Sequence, residues 1–215
     1  MVLGVFGGTF DPIHFGHLRL AEEARAELGL ERILWLPAGQ PPHRAAPRVT
    51  ARHRLDMVRL ATAGNPHFAV DPTEVEAART SYTVLTLERL RHEYGPDCAL
   101  VLLVGADAFA GLASWHRWRE LFTLAHIAVS HRPGFPVAAT SLSAELAMEF
   151  ARRHLASPAR LTDSPAGGIV TFAMTQLAIS ATQIRQLLAE RRSARYLLPD
   201  GVLDYIARHR LYTTN

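Results

Sequence analysis

The chain has 215 residues, 48% of them apolar and 20% charged, with a formal net charge of +3, the make-up of a folded protein with a substantial core. No apolar run approaches the ~20 residues of a bilayer-spanning helix, and the N-terminus lacks the positive stretch of a signal peptide, so the cytoplasm is the expected compartment. All 23 basic residues are arginines, which excludes a Schiff-base or Walker A lysine and leaves Arg, His and backbone N–H groups to hold any phosphate.

Taken in chain order, Val2–Phe6 is an apolar run that stops at Gly7-Gly8, followed by a short loop and apolar residues at helical spacing over Leu18–Leu28. Further runs predict strands at Arg32–Leu36, Phe68–Val70, Ala99–Val104, Ile127–Ser130 and Ile169–Ala173. Helical patterns lie between most of them: Ala51–Ala63, Tyr82–Tyr94 (stopped by Gly95-Pro96), Trp118–Ala125 and Leu142–Leu155. Pro37–Val49 is a long Pro-rich loop suited to a lid or substrate arm. The tail predicts two short helices, Ala181–Leu188 and Gly201–Arg208, joined through Leu198-Pro199. Cys98, the one cysteine, falls in an apolar run and reads as a buried small residue. The densest basic groups, Arg152-Arg153 and Arg191–Arg195, read as solvated helix faces rather than a nucleic-acid track.

Continuous apolar strands alternating with amphipathic helices predict an α/β fold with a parallel sheet covered on both faces. The arrangement expected is Rossmann-like and doubly wound, in a single domain over 1–215 whose part 181–215 is a small helical C-terminal extension. No GxGxxG motif is present, so a nucleotide is not held in the dehydrogenase manner.

The local chemistry concentrates in two places. Strand, Gly turn and helix N-terminus over Gly4–Leu18 form the geometry in which N–H groups converge on an anion. His14 and His17, three residues apart, would then share one helix face over that site. At Ile179–Arg185, Ser180 and Gln183 form a capping box that starts a helix at Ala181. The hydroxyls of Ser180 and Thr182, the helix dipole and Arg185 collect at that end.

GGTFDPIHFGHL at Gly7–Leu18 resembles the HxGH signature of the nucleotidyltransferase superfamily. PPHR at Pro41–Arg44, SYT at Ser81–Thr83, GAD at Gly105–Asp107, SWHRW at Ser114–Trp118 and ISATQIR at Ile179–Arg185 resemble, in order, the segments of its bacterial nicotinate mononucleotide adenylyltransferase branch. The resemblance spans nearly the whole chain. It implies catalytic roles for His14, His17 and Arg185, with the two imidazoles donating to the α-phosphate of ATP. It implies ATP contacts from Gly7, Gly8, Thr9, Phe10, Gly105, Asp107 (to a ribose hydroxyl), Ile179, Ser180 and Thr182. It implies a mononucleotide site of His43 and Arg44 on the 5′-phosphate, with Tyr82, Thr83, Trp115 and His116 forming the pyridine pocket. Arg132, in the HRPG segment after the fifth strand, is added to that site. Two positions depart from the pattern: Ala181 stands where many members have Ser, and Arg44 where many have Lys. Trp118 reads as packing.

The resulting expectation is a transfer of AMP from ATP to nicotinate mononucleotide, releasing pyrophosphate, a late step toward NAD. Metal-ligand spacings such as HExxH or CxxC are absent from the sequence, so no protein-caged metal is expected; Mg²⁺ would ride mainly on the ATP phosphates. ATP and the mononucleotide are the expected partners, with no nucleic acid and no membrane, and a homo-oligomer is left open. The competing readings are a pantetheine-phosphate adenylyltransferase-like enzyme and a non-catalytic nucleotide-sensing or RNA-binding relative.

Overall fold

The computed structural model describes residues 1–40, 46–77, 80–134 and 141–213. Each predicted apolar run is a strand: β1 Val2–Gly8, β2 Arg32–Pro37, β3 Phe68–Val70, β4 Ala99–Gly105, β5 His126–His131 and β6 Ile169–Ala173. They lie in one sheet in the order β3-β2-β1-β4-β5-β6, and the pairs β1–β4, β4–β5 and β5–β6 are parallel. That is the doubly wound order, reversing between β1 and β4.

The helices are α1 Phe15–Glu27, α2 Ala51–Thr62, α3 Thr73–Glu76, α4 Thr83–Tyr94, α5 Ala106–Ala110, α6 Leu121–Leu124, α7 Ala144–Arg153, α8 Ala181–Ala189 and α9 Asp200–Arg208. The short helices α3 and α5 lie outside every predicted helical stretch, and three further points differ from the sequence expectation. Helix α1 begins at Phe15 rather than Leu18, because His14 supplies its cap. Trp118–Ala125 is not one helix but a 3₁₀ turn, Trp118–Glu120, leading into α6. The left-handed backbone of Arg117, at φ 52°, precedes it. Arg191–Arg195 follows α8 as a turn, so its exposed arginines stand on a loop rather than on a helix face. Among the described residues no helix is long and apolar enough to cross a membrane.

The chain folds as two compact units. The first comprises Met1–Phe6, Leu20–Leu34 and Tyr82–Gln176. Its centre is the parallel ladder Val2↔Ala99 to Val5↔Leu102, Val101↔His126 to Gly105↔Ser130, and Ile127↔Ile169 to His131↔Ala173. Leu100, Val101, Ile127, Ala128, Val129 and Ile169 on these strands are wholly buried, which accounts for their unbroken apolar sequence. Arg91 of α4 ties together the loop after α4, the end of α6 and the loop before β6, donating to the carbonyls of Gly95, Pro96, Cys98, Leu124 and Pro165. Cys98 is buried, as its surroundings predict, and burial pushes its thiol pKa up. His126, also buried, donates Nε2–H to Ser164 O at 2.8 Å and accepts from Gly168 N–H at 3.0 Å through Nδ1. It is therefore neutral, and burial holds its pKa down.

The second unit comprises Gly7–Arg19, Trp35–Ser81 and Leu177–Asn215. Helices α2 and α9 pack together within it, burying Leu55, Met57 and Val58 of α2 and Val202 and Ile206 of α9. At its surface the Tyr205 hydroxyl lies 2.9 Å from His53 Nδ1 and donates to Asp56 at 3.2 Å. The N-caps of α2 and α8 are the hydroxyl residues Thr50 and Ser180, which accept from His53 N–H and Gln183 N–H, as capping chemistry predicts.

Candidate active site

In the second unit, the turn from β1 to α1 is built around two close approaches at glycines. A Cβ on Gly8 would lie 2.8 Å from the Phe10 ring, and one on Gly16 would lie 3.0 Å from the His14 imidazole and 3.7 Å from the carbonyl of Ile179. Phe10 itself is buried with φ 47°, a conformation that costs a non-glycine residue. Its ring is held edge-on to His17, centroids 5.2 Å apart, and against Trp35 at 5.4 Å.

His14 precedes the helix and caps it through its carbonyl, which accepts from the N–H groups of His17 at 3.0 Å and Leu18 at 3.3 Å. The backbone N–H of His14 in turn donates to His17 Nδ1 at 3.3 Å. That bond leaves the proton of a neutral His17 ring on Nε2. The two imidazoles stack at 3.8 Å between centroids, 26° apart in plane. His14 is 6% exposed and its Nδ1 has no hydrogen-bond partner among the described residues. Burial lowers its pKa to about 4, so it is neutral across the physiological range. The sequence expectation of a nest of free helix amides is only partly met. Phe15 N–H donates to Leu197 O at 3.1 Å and His17 N–H to His14 O, so two of the first-turn donors are engaged.

The ISATQIR segment is brought to this turn. Arg185 Nη1 donates to the backbone carbonyl of Asp11 at 2.7 Å and Nη2 to Thr182 Oγ1 at 3.1 Å. Ser180 caps α8 by accepting from Gln183 N–H at 3.1 Å. Thus Gly8, Phe10, His14, His17, Ile179, Thr182 and Arg185 form one connected neighbourhood, with Gly7, Thr9 and Ser180 adjacent in sequence. Thr182 and Ser180 are exposed, and Arg185 is half-buried.

In the first unit, Gly105 ends β4 and caps α5, with Asp107 exposed in the first helical turn. Ser130 Oγ would lie 4.0 Å from a Cβ on Gly105. Tyr82 precedes α4, and Thr83 is its first residue, a position whose N–H has no intrahelical acceptor. The Tyr82 and His116 rings are 4.6 Å apart and tilted by 44°. Trp115 is half-buried and lies between two 3₁₀ turns, Leu112–Ser114 and Trp118–Glu120, not on a helix shared with Trp118. Trp118 is buried against Phe122, centroids 6.2 Å apart, under the guanidinium of Arg119 at 4.6 Å, a packing residue as the sequence predicts. Arg132 is exposed just beyond β5. His43 and Arg44 lie outside the described residues.

The cytidylyltransferase-like family model matches residues 5–187. A protein of Dechloromonas aromatica named "Probable nicotinate-nucleotide adenylyltransferase" is 71% identical over 98% of this chain and 97% of its own length. The chain belongs to the nicotinate-nucleotide adenylyltransferase family. An Acidithiobacillus ferrooxidans protein of the same name is 46% identical over 98% of the chain and 95% of its own. Among solved structures, Plasmodium falciparum nicotinic acid mononucleotide adenylyltransferase complexed with NaAD superposes with a TM-score of 0.71 at 15% identity. It covers 98% of this chain and 97% of that one, a likeness of fold.

Two residues of this family member that sequence reasoning passed over shape the histidine turn. Arg54 of α2, 1% exposed, donates Nη1–H to Thr9 O at 2.7 Å and Nη2–H to Gly39 O at 2.9 Å. Asp11, buried, accepts from Arg48 N–H at 2.8 Å and from the Tyr212 hydroxyl at 2.7 Å. Burial lowers the pKa of Arg54, opposed by the charge of Asp11. For Arg54 the sequence signal was a charged residue on the apolar stripe of α2, beside Leu55 and Val58; Asp11 lies within the GGTFDPIHFGHL motif, where it was given no role.

Proposed function

We propose that the chain joins nicotinate mononucleotide to the AMP part of ATP, giving nicotinate adenine dinucleotide and pyrophosphate. An oxygen of the mononucleotide phosphate attacks the α-phosphorus, a new P–O bond forms, and the bond to the β-phosphate oxygen breaks with its electron pair leaving on pyrophosphate. The attacking phosphate is already ionised, so the step needs position and charge neutralisation rather than a general base.

The observation that carries this reading is the paired imidazole stack of His14 and His17, pressed over Gly16 and joined to Arg185 through the Asp11 segment. The neutral His14 imidazole, and the His17 ring whose Nδ1 is engaged so that Nε2 carries the proton, suit donation to the α-phosphate oxygens as charge moves toward pyrophosphate. Arg185, Ser180 and Thr182 at the N-terminus of α8 suit the β- and γ-phosphates. Gly7, Gly8, Thr9, Phe10 and Ile179 would supply close backbone contacts, and Gly105 and Asp107 the ribose contact. Trp115 and His116, with Tyr82 and Thr83, suit an aromatic acid; His43, Arg44 and Arg132 would meet its phosphate.

ATP would enter as its magnesium complex, the cation neutralising phosphate charge. Among the described residues no group of three or more His, Cys, Asp or Glu stands ready to hold a metal, and the Asp11 carboxylate is occupied by Tyr212 and Arg48. The compartment of the protein would be the cytoplasm.

Pyrophosphate release from ATP tests the reading, measured with nicotinate mononucleotide and with 4′-phosphopantetheine as acceptor. Release with the mononucleotide alone is expected. Release with phosphopantetheine alone would move the chain to the rival enzyme class, and none with either would leave a nucleotide-binding protein.

A further inference from the structure

Asp11 is bonded three ways: its Oδ1 to the Tyr212 hydroxyl at 2.7 Å, its Oδ2 to Arg48 N–H at 2.8 Å, and its carbonyl to Arg185 Nη1 at 2.7 Å. Tyr212 stands 201 positions further along the chain, in the segment that follows α9. Its backbone is left-handed, φ 62°, which a non-glycine side chain adopts only where contacts over-determine it. The phenol–carboxylate bond is such a contact. Burial and the Asp11 carboxylate push the phenol pKa well up, so the hydroxyl stays a donor. The segment before α9 also reaches this turn, Leu197 O accepting from Phe15 N–H at 3.1 Å. The C-terminal part of the chain thus bonds on both sides of His14, at Asp11 before it and at Phe15 after it.

We infer that Tyr212 is a positioning residue for adenylyl transfer: it clamps Asp11, and Asp11 through its carbonyl sets the Arg185 guanidinium beside the histidine turn. Tyr212 touches no reacting atom. The inference rests on the adenylyltransferase reading, and it predicts an asymmetric defect. Loosening the Oδ1 side of Asp11 frees Arg185, assigned to the triphosphate, while the Oδ2 bond to Arg48 N–H, next to the arm assigned to the mononucleotide, is kept.

The experiment is steady-state kinetics for each substrate on wild type, Tyr212→Phe, Arg185→Ala and the double variant, with a melting curve for each. Tyr212→Phe is expected to lower kcat/KM for ATP about tenfold, the scale of one lost bond to a charged group. The KM for the mononucleotide should stay within about twofold of wild type, since a purely structural loss would move both substrates alike. In the Arg185→Ala background the same substitution should change the ATP parameters by less than about twofold, because its route of action is gone. Unchanged ATP kinetics, equal damage to both substrates, or full multiplication with Arg185→Ala would each overturn the inference. Should Tyr212→Phe not fold, Asp11→Asn replaces one of the two carboxylate acceptors and is expected to give the same asymmetry; its absence there would equally overturn it. A wild type that releases no pyrophosphate would instead defeat the adenylyltransferase reading, so the two failures are distinct.

Discussion

His14 donates its backbone N–H to Nδ1 of His17, 3.3 Å away, so a histidine fills the third helical position where a capping box usually has Glu or Gln. One bond thereby starts the helix, orients the second imidazole and leaves Nε2 as its proton-bearing atom. The pairing ties helix geometry to donor geometry, and the two can be separated by substitution.

His17→Ala removes both functions and is expected to lower kcat by ~10²–10³, the scale of one lost transition-state donor, with the fold retained by circular dichroism. His17→Gln keeps an acceptor for the His14 N–H but not the imidazole donor. It should melt closer to wild type than His17→Ala while remaining nearly as slow. Near-wild-type turnover in either variant would remove His17 from the chemistry.

Gly16→Ala separates stability from activity in the opposite direction. Alanine favours a helix over glycine by about 0.8–1 kcal/mol, yet its Cβ would sit 3.0 Å from the His14 ring. We expect a melting temperature within a few degrees of wild type and a kcat reduced at least about tenfold, because the displaced ring is one of the proposed donors. A fully active Gly16→Ala enzyme would show that the ring's place is immaterial.

The strands were legible because burial on both faces of a parallel sheet writes itself as unbroken apolar sequence, as in Ala99–Val104. The start of α1 was not, since His14 is no ordinary cap residue and Phe15-Gly16 is a poor helix opening. The break before Trp118 depends on a left-handed arginine, Arg117, that periodicity does not reveal. His14, His17 and Arg185 were legible as a local motif. Arg54 and Tyr212 were not: their partners Thr9 and Asp11 lie 45 and 201 positions away, and a distant hydrogen bond leaves no local pattern.

Acid should destabilise the protein through its buried neutral histidines. A folded pKa lowered to about 4, as for His14, means the unfolded chain takes up a proton first, from about pH 6.5 downward. Stability from this group is therefore fully present above pH 6.5 and is lost as pH falls to about 4, at ~1.4 kcal/mol per unit within that window. His126, lowered by burial too, adds in the same sense. Urea titrations at pH 7 and pH 5 should differ by about 2 kcal/mol from His14 alone, and His126→Gln should lessen the total difference. Equal midpoints at the two pH values would contradict the buried neutral assignment.

Arg54 should be costly to remove although it is far in sequence from every motif. Arg54→Ala leaves the carbonyls of Thr9 and Gly39 without their donor and the Asp11 carboxylate without a buried counter-charge, a loss expected at about 3–5 kcal/mol. Arg54→Lys keeps the charge but offers no planar fork to two carbonyls, so it should recover only part. Denaturant unfolding of the three proteins decides this; a loss under about 1 kcal/mol in Arg54→Ala would mean that the two carbonyls find other donors.

On the proposed assignment, substrate identity would turn on the residues around Thr83 and Trp115. Thr83 opens α4 with an N–H that has no intrahelical acceptor, beside a hydroxyl, and both are donors that suit a carboxylate. Nicotinate carries a full negative charge that nicotinamide lacks, and the positive end of the helix dipole favours it further. A site built for one hydrogen-bonding pattern penalises an analogue that leaves its polar groups unpaired. The wild type is therefore expected to prefer nicotinate mononucleotide over the nicotinamide form by at least about tenfold in kcat/KM, the scale of one unmatched contact of ~1–3 kcal/mol. Thr83→Val removes the hydroxyl but not the amide, so it should narrow the preference without abolishing it. Trp115→Ala removes a stacking surface indifferent to the ring's substituent, so it should weaken both mononucleotides together and leave their ratio within about twofold. Measuring kcat/KM for both mononucleotides on the three proteins separates these effects. Equal use of the two by the wild type would defeat the acid-specific assignment of this pocket, and a Trp115→Ala ratio that shifts like that of Thr83→Val would show that the indole, too, reads the substituent.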